Sequence, residues 1–203
     1  KNTMSVTAHS KFIRLTERIH NCEHCAEHLP LGPRPVFQAN PKAKILIVGQ
    51  APGTAVHKTG IPFNDPSGKR LRDWLGMSTE TFYNEALVAI VPMGFCYPGR
   101  GKGGDLPPRP ECAAMWRAEL LSHLPNIKLT IAIGRYAIDW HLKPKSSMTL
   151  QAIVAGWKVY LPEFLPLPHP SPRNTMWLQK NPWVEAEIIP TLRSQVSEIL
   201  GNE

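Results

Sequence analysis

A three-layer α/β/α domain, built on a central and mainly parallel four-stranded sheet, is predicted by three features of the sequence. First, four short apolar runs have the length and continuity of strands buried on both faces: AKILIVGQ (43–50), ALVAIVP (86–92), LTIAIG (129–134) and WKVYLP (157–162). Second, segments of helical spacing fall between them, and strands alternating with helices imply a parallel sheet covered on both sides. Third, the most unusual loops follow strand ends. GQAPG (49–53) follows the first run, PMGFCYPGRGKGGDLPPRP (92–110) the second, and PLPHPSPRN (166–174) the last. In open sheets of this kind ligands bind beyond the carboxyl ends of the strands.

Taken in order, residues 4–28 read as one helix, with Phe12, Ile13, Leu15 and Ile19 near helical spacing. A proline-rich connector (29–41) leads to the first strand. Helices are expected around SGKRLRDWLG (67–76), RPECAAMWRAELLSHL (109–124) and RYAIDWHL (135–142), and a last helix over 181–200 closes the chain. The 21 prolines are spread between elements and form no low-complexity tract. A single domain spanning 4–203 is the expectation for 203 residues, with Met4 read as the true start.

Composition narrows the class of function. The apolar fraction of 42% is globular, and every apolar run is too short to span a bilayer. No membrane partner and no secretion signal are expected, which places the protein in the cytoplasm, and a monomer is the expected state. A formal charge of +7, with basic residues in loop-like stretches such as SGKRLRDW and PGRGKGG, suits a polyanionic partner such as nucleic acid.

All four cysteines fall in a metal-like pattern: Cys22 and Cys25 form C-x2-C, and Cys96 and Cys112 flank fifteen residues. This is no secreted disulfide framework, and four thiolates satisfy either zinc or an iron-sulfur cluster. His20, His24 and His28 recur every four residues on the predicted helix and read as exposed positions, with His24 a minor alternative ligand.

GQAPG alone is a tight strand-to-helix turn whose glycines let backbone amides approach a ligand. Paired with HPSPRN (169–174) after the last strand, it resembles motifs one and two of the uracil-DNA glycosylase superfamily. The order of strands and loops agrees over roughly residues 20–195. HPSPRN is similar to the single-strand-selective monofunctional branch. GQAPG and the cysteines are closer to the iron-sulfur bacterial and archaeal branches, and the whole is closest to an uncharacterised bacterial subgroup.

The resemblance implies a monofunctional repair glycosylase acting on DNA that contains a damaged or deaminated base, uracil first. His169 would direct an N–H at the base O2 as charge develops there, on a loop stiffened by Pro168, Pro170 and Pro172. Ser171, Pro172, Arg173 and Asn174 would enter the minor groove or grip phosphates, with Lys69, Arg70 and Arg72 facing phosphates or water. Phe63 would stack on the flipped base, while Gly49, Gln50, Ala51 and Asn64 would meet its edge. Asp65 stands where one iron-sulfur branch carries a catalytic carboxylate, and its DPSG context equally suits a helix N-cap. The cysteines would bind a [4Fe-4S] cluster, with structural zinc the alternative.

Three departures accompany the likeness. Ala51 replaces the motif-one aspartate of the best-known members, Gln50 replaces a glutamate frequent in the iron-sulfur branches, and Pro92 lies where many members have a uracil-reading asparagine. A non-catalytic reader of damaged DNA is therefore the second expectation, and a nucleotide-binding module the third.

Overall fold

The computed structural model describes residues 5–201. Ser5 caps helix α1 (Val6–His20) by accepting from the Ala8 N–H, and Phe12, Leu15 and Ile19 form its buried stripe. The helix ends at His20, earlier than the 4–28 expected, and Met4 lies outside the described residues. Asn21 terminates it by turning its side-chain amide back to the Glu17 carbonyl, 2.8 Å away, and the polar NCEHC run offers no further apolar stripe. Cys22 consequently lies in irregular backbone and Cys25 in a turn, His28 sits in a separate 3-10 turn (Ala26–His28), and the three histidines do not share a helix.

The chain then runs β1 (Ile45–Val48), α2 (Thr54–Thr59), α3 (Pro66–Leu75), α4 (Thr79–Phe82) and β2 (Val88–Ile90). A small hairpin, β3 (Arg100–Gly101) and β4 (Gly104–Asp105), precedes α5 (Pro110–Cys112), which passes through a π-helical turn (Ala113–Arg117) into α6 (Ala118–Ser122). There follow β5 (Leu129–Ile133), α7 (Arg135–Leu142), α8 (Leu150–Ala155), β6 (Phe164–Leu167) and α9 (Thr175–Lys180). A second π turn (Val184–Ile188) leads into α10 (Ile189–Leu200).

The four-stranded sheet has the order β2-β1-β5-β6, all parallel. Side chains alternate between its two faces. Ile45, Ile47, Val88, Ile90, Ile131 and Leu165 pack toward α3, α9 and α10. Leu46, Val48, Ala89 and Ala132 pack toward α1, α6 and α7. Both faces are thus covered, which is why these strands read as unbroken apolar runs.

The fourth strand is displaced from its expected position. WKVYLP forms a 3-10 turn at Trp157–Tyr160 in which Trp157 is buried and Val159 is 80% exposed. FLPL (164–167) is the strand. It lies at the sheet edge, where the missing N–H of Pro166 breaks no ladder between two neighbours. Among the described residues no helix is long and apolar enough to cross a membrane.

One close approach fixes how α3 begins. A Cβ at Gly68 would lie 1.7 Å from the Phe63 carbonyl oxygen, a backbone atom that cannot swing aside. Gly68→Ala is expected to destabilise the protein by about 3 kcal/mol or more, the range of severe overpacking, as measured by urea unfolding.

Candidate active site

Beyond the carboxyl ends of β1, β2 and β6 lies a cavity of about 400 Å³, whose walls include Gly49, Gln50, Phe63, Asp65, Asp105 and His169. It lies where a parallel sheet of this type holds ligands.

His169 comes from the loop after β6, between the buried prolines 168 and 170. The Ser171 backbone N–H donates to its Nδ1 at 3.1 Å. An Nδ1 that accepts leaves Nε2 to carry the ring proton, so the neutral imidazole is an Nε2–H donor. Burial holds its pKa below the ordinary histidine value, against the opposing pull of the Asp65 and Asp105 carboxylates. Asn174 braces the same loop by donating its amide to the His169 carbonyl at 2.8 Å. Arg70 adds a second brace, donating to the Ser171 carbonyl at 3.3 Å and to Thr175 Oγ1 at 2.9 Å.

The opposite wall is built around Phe63, which holds a left-handed φ of 55°. That conformation is uncommon for a side chain of its size and marks a position held by its surroundings. Its ring lies so close to motif one that a Cβ at Gly49 would be 3.1 Å from Phe63 Cζ. Arg72 donates to the Phe63 carbonyl and to the Tyr83 hydroxyl, both at 3.3 Å, and the Tyr83 hydroxyl donates to the Pro62 carbonyl at 2.8 Å. Arg70 and Arg72, expected to face phosphates or water, are therefore internal braces, whereas Lys69 is exposed.

Asp65 has both of its anticipated placements: Oδ1 accepts the Gly68 N–H at 2.8 Å as the N-cap of α3, and the residue lines the cavity. Ala51 and Ser171 line it too. Asn64 is not among its walls; its amide donates to Thr59 Oγ1 at 3.4 Å within its own turn. Arg173 lies at the rim, donating to the Gly103 carbonyl at 2.9 Å, while Pro172 is exposed.

Pro92 forms part of the floor, and the backbone around it is fully engaged. Met93 N–H donates to the Gly49 carbonyl and Gly94 N–H to the Gln50 carbonyl, each at 2.9 Å. The Val91 and Pro92 carbonyls accept from Arg117 Nη1 at 2.9 and 3.0 Å. Arg117 is 1% exposed and is delivered by the π turn. Its other guanidinium nitrogen donates to His141 Nε2 at 2.7 Å, so His141 accepts and is neutral. Neither residue was anticipated, because an arginine in an amphipathic helix carries no mark of facing inward.

Burial, reinforced by the Arg117 charge, lowers the His141 pKa from 6.5 to about 3. An unfolded chain protonates this histidine below about pH 6.5 while the folded one resists until about pH 3, so its stabilisation is lost as the pH falls through that window. The slope is about 1.4 kcal/mol per pH unit at most. His141→Gln, which keeps an acceptor but cannot protonate, is expected to gain stability relative to wild type between pH 6 and pH 4, as read by thermal unfolding across that range.

On the far side of the same loop, Cys22, Cys25, Cys96 and Cys112 line one small, mostly apolar cavity. As their side chains stand, no three His, Cys, Asp or Glu groups among the described residues converge tightly enough to hold a metal ion. The donor chemistry nevertheless fits a thiolate-bound centre. The Phe95 backbone N–H points at Cys112 Sγ (3.3 Å), while the Arg109 side chain beside Cys25 and the Arg34 backbone beside Cys96 each favour the thiolate. Burial raises the thiol pKa of Cys96 to about 11 and of Cys112 to about 12, so metal binding would displace their protons.

A candidate uracil DNA glycosylase from Methanosarcina acetivorans, solved by solution NMR, is similar at 16% identity and a TM-score of 0.48, over 79% of this chain and 98% of that one. The family model of the uracil DNA glycosylase superfamily matches residues 36–193, from the segment before β1 into α10 and across every wall of the cavity, and this chain belongs to that superfamily.

Proposed function

We propose that this protein is a monofunctional DNA-repair glycosylase that receives an extruded base, uracil first, in the cavity between Phe63 and His169 and hydrolyses its N-glycosidic bond. The observation that carries the reading is the fixed tautomer of His169, a neutral Nε2–H donor on a braced, proline-stiffened loop in the cavity wall. Breaking the bond to a pyrimidine leaves negative charge on the base, and a donor already in place stabilises it without reorganisation. Neutrality matters as well, because a donor that keeps its proton leaves the base free to depart as an anion.

Phe63 offers an apolar face to an extruded base. Pro92 has no N–H, and the amides of Met93 and Gly94 are occupied, so reading of the base edge falls to Gln50 and the remaining motif-one amides. No lysine matches a Schiff-base position, hence hydrolysis without strand cleavage. DNA would approach across the basic rim, with Lys69 and the loop 171–174 nearest the backbone. The protein would act as a monomer in the cytoplasm. The four cysteines would hold a [4Fe-4S] cluster, or zinc in its place, which would tie the segment after α1 to the loop after β2. That centre supplies structure; the chemical step belongs to the cavity.

Single-turnover base release from oligonucleotides carrying uracil, hypoxanthine or xanthine tests the reading. His169→Ala is expected to slow release by about a hundredfold or more, roughly 2.7 kcal/mol, while DNA binding persists. Ala51 in motif one keeps a second reading open, a protein that binds lesions without releasing them; lesion-selective binding with no release by wild type would establish it. For the cysteines, anaerobic purification should give about four irons and four sulfides per chain, and Cys112→Ser should lose them. About one zinc per chain would establish the alternative.

A further inference from the structure

Motif one contributes Ala51 instead of a carboxylate, and Asp65 spends one oxygen on the N-cap of α3. A third loop supplies what the cavity then lacks. Asp105 lies at the end of β4, lines the cavity, and sits over motif one, so that a Cβ at Gly53 would be 3.5 Å from its Oδ2. Its carboxylate is close enough to His169 to act on that ring electrostatically, as is Asp65.

The position is held from both sides. Preceding it, Gly104 has a φ of 126° and lies against Arg173 of motif two, which donates to the Gly103 carbonyl. Following it, Leu106 donates its N–H to the Gly99 carbonyl at 2.9 Å, and its own carbonyl accepts the Gln50 amide of motif one at 3.4 Å. Both motifs therefore grip the backbone beside Asp105. Among the described residues, its side chain makes no hydrogen bond or ion pair, although Arg100 is its register partner across the hairpin. Asp105 is exposed on the cavity wall, and the braced backbone on either side holds its carboxylate over motif one, where a ligand in the cavity meets it.

We propose that Asp105 is a catalytic carboxylate of this site, facing the sugar and activating the water. The inference rests on the glycosylase reading above. As the C1′–N bond breaks, its electron pair passes to the base, whose charge meets the His169 N–H. The water oxygen bonds to C1′, its proton passes to Asp105 and then to solvent or the departing base, and the products are free base and an abasic sugar bearing a C1′ hydroxyl. The negative carboxylate also offsets the positive charge that develops on the sugar.

Single-turnover release by Asp105→Asn, Asp105→Ala and Asp65→Asn, run beside wild type at saturating enzyme, decides the matter. Asp105→Asn is expected to lose about a hundredfold in rate with DNA affinity unchanged, and added formate should partly restore Asp105→Ala, which a merely structural residue would not show. Circular dichroism verifies folding, and Asp105→Glu replaces the other two if they fail to fold, with partial activity expected. An Asp105→Asn rate within about twofold of wild type would overturn the proposal. So would weakened DNA binding with an unchanged saturating rate, or a loss confined to Asp65→Asn. Absence of release by wild type itself would overturn the glycosylase reading and this proposal with it, and is told apart by the wild-type progress curve.

Discussion

The hydrogen bond from the Ser171 backbone to His169 Nδ1 is the constraint around which the site is organised. A single main-chain donor decides which ring nitrogen holds the proton and therefore what the ring can offer a ligand. Much of the surrounding structure keeps that geometry in place: the flanking prolines, the Asn174 amide on the His169 carbonyl, and Arg70 reaching from α3 to the Ser171 carbonyl. None of these groups needs to touch a ligand. They remove the freedom of a loop that would otherwise have to be ordered when a ligand arrives, and that saving is the physical content of preorganisation.

A second layer of the same logic lies beneath the floor. Among the described residues Arg117 is a buried cation with no carboxylate partner, satisfied by two consecutive carbonyls and a neutral histidine. Such a group is costly to desolvate and costly to leave unpaired. Its partners lie at the end of β2, where the strand leaves the sheet to form the cavity floor, so the cost is concentrated at the boundary between core and site. The cysteine cavity and the cavity between Phe63 and His169 share the loop that begins there, and the backbone bonds of Met93 and Gly94 to motif one keep the two in fixed relation.

Much of this was legible in the sequence, for reasons that differ by element. Three strands announced themselves because burial on both faces makes an apolar run continuous. β6 did not, because Pro166 broke its pattern while WKVYLP, which turned out to be a turn packing Trp157 inward, imitated a strand better. The two motif loops were legible as loops with unusual chemistry, and Gly49, Gln50, Ala51, Phe63, Asp65 and His169 do share one cavity. Arg70, Arg72 and Arg117 were not legible as braces. A basic residue on a helix reads the same whether it meets water or a carbonyl from another element, and only the fold decides. Asp105 was hidden for a related reason, since its place over Gly53 depends on a hairpin of two-residue strands that carries almost no pattern of its own.

The phenylalanine wall has a consequence for how the sequence is free to vary. Its ring crowds any side chain at Gly49, and its carbonyl leaves no room for one at Gly68, although the two glycines stand nineteen positions apart on different elements. Three positions therefore behave as one unit of inheritance. Drift that enlarges Gly68 has to arrive together with a backbone that carries residue 63 elsewhere, and drift at Gly49 with a displaced ring, and so either comes with a cavity of another shape. The aromatic wall and the turn of motif one are not independently adjustable features of this fold, and a change in what the cavity accepts is easier to reach through Gln50 or the hairpin than through the wall itself.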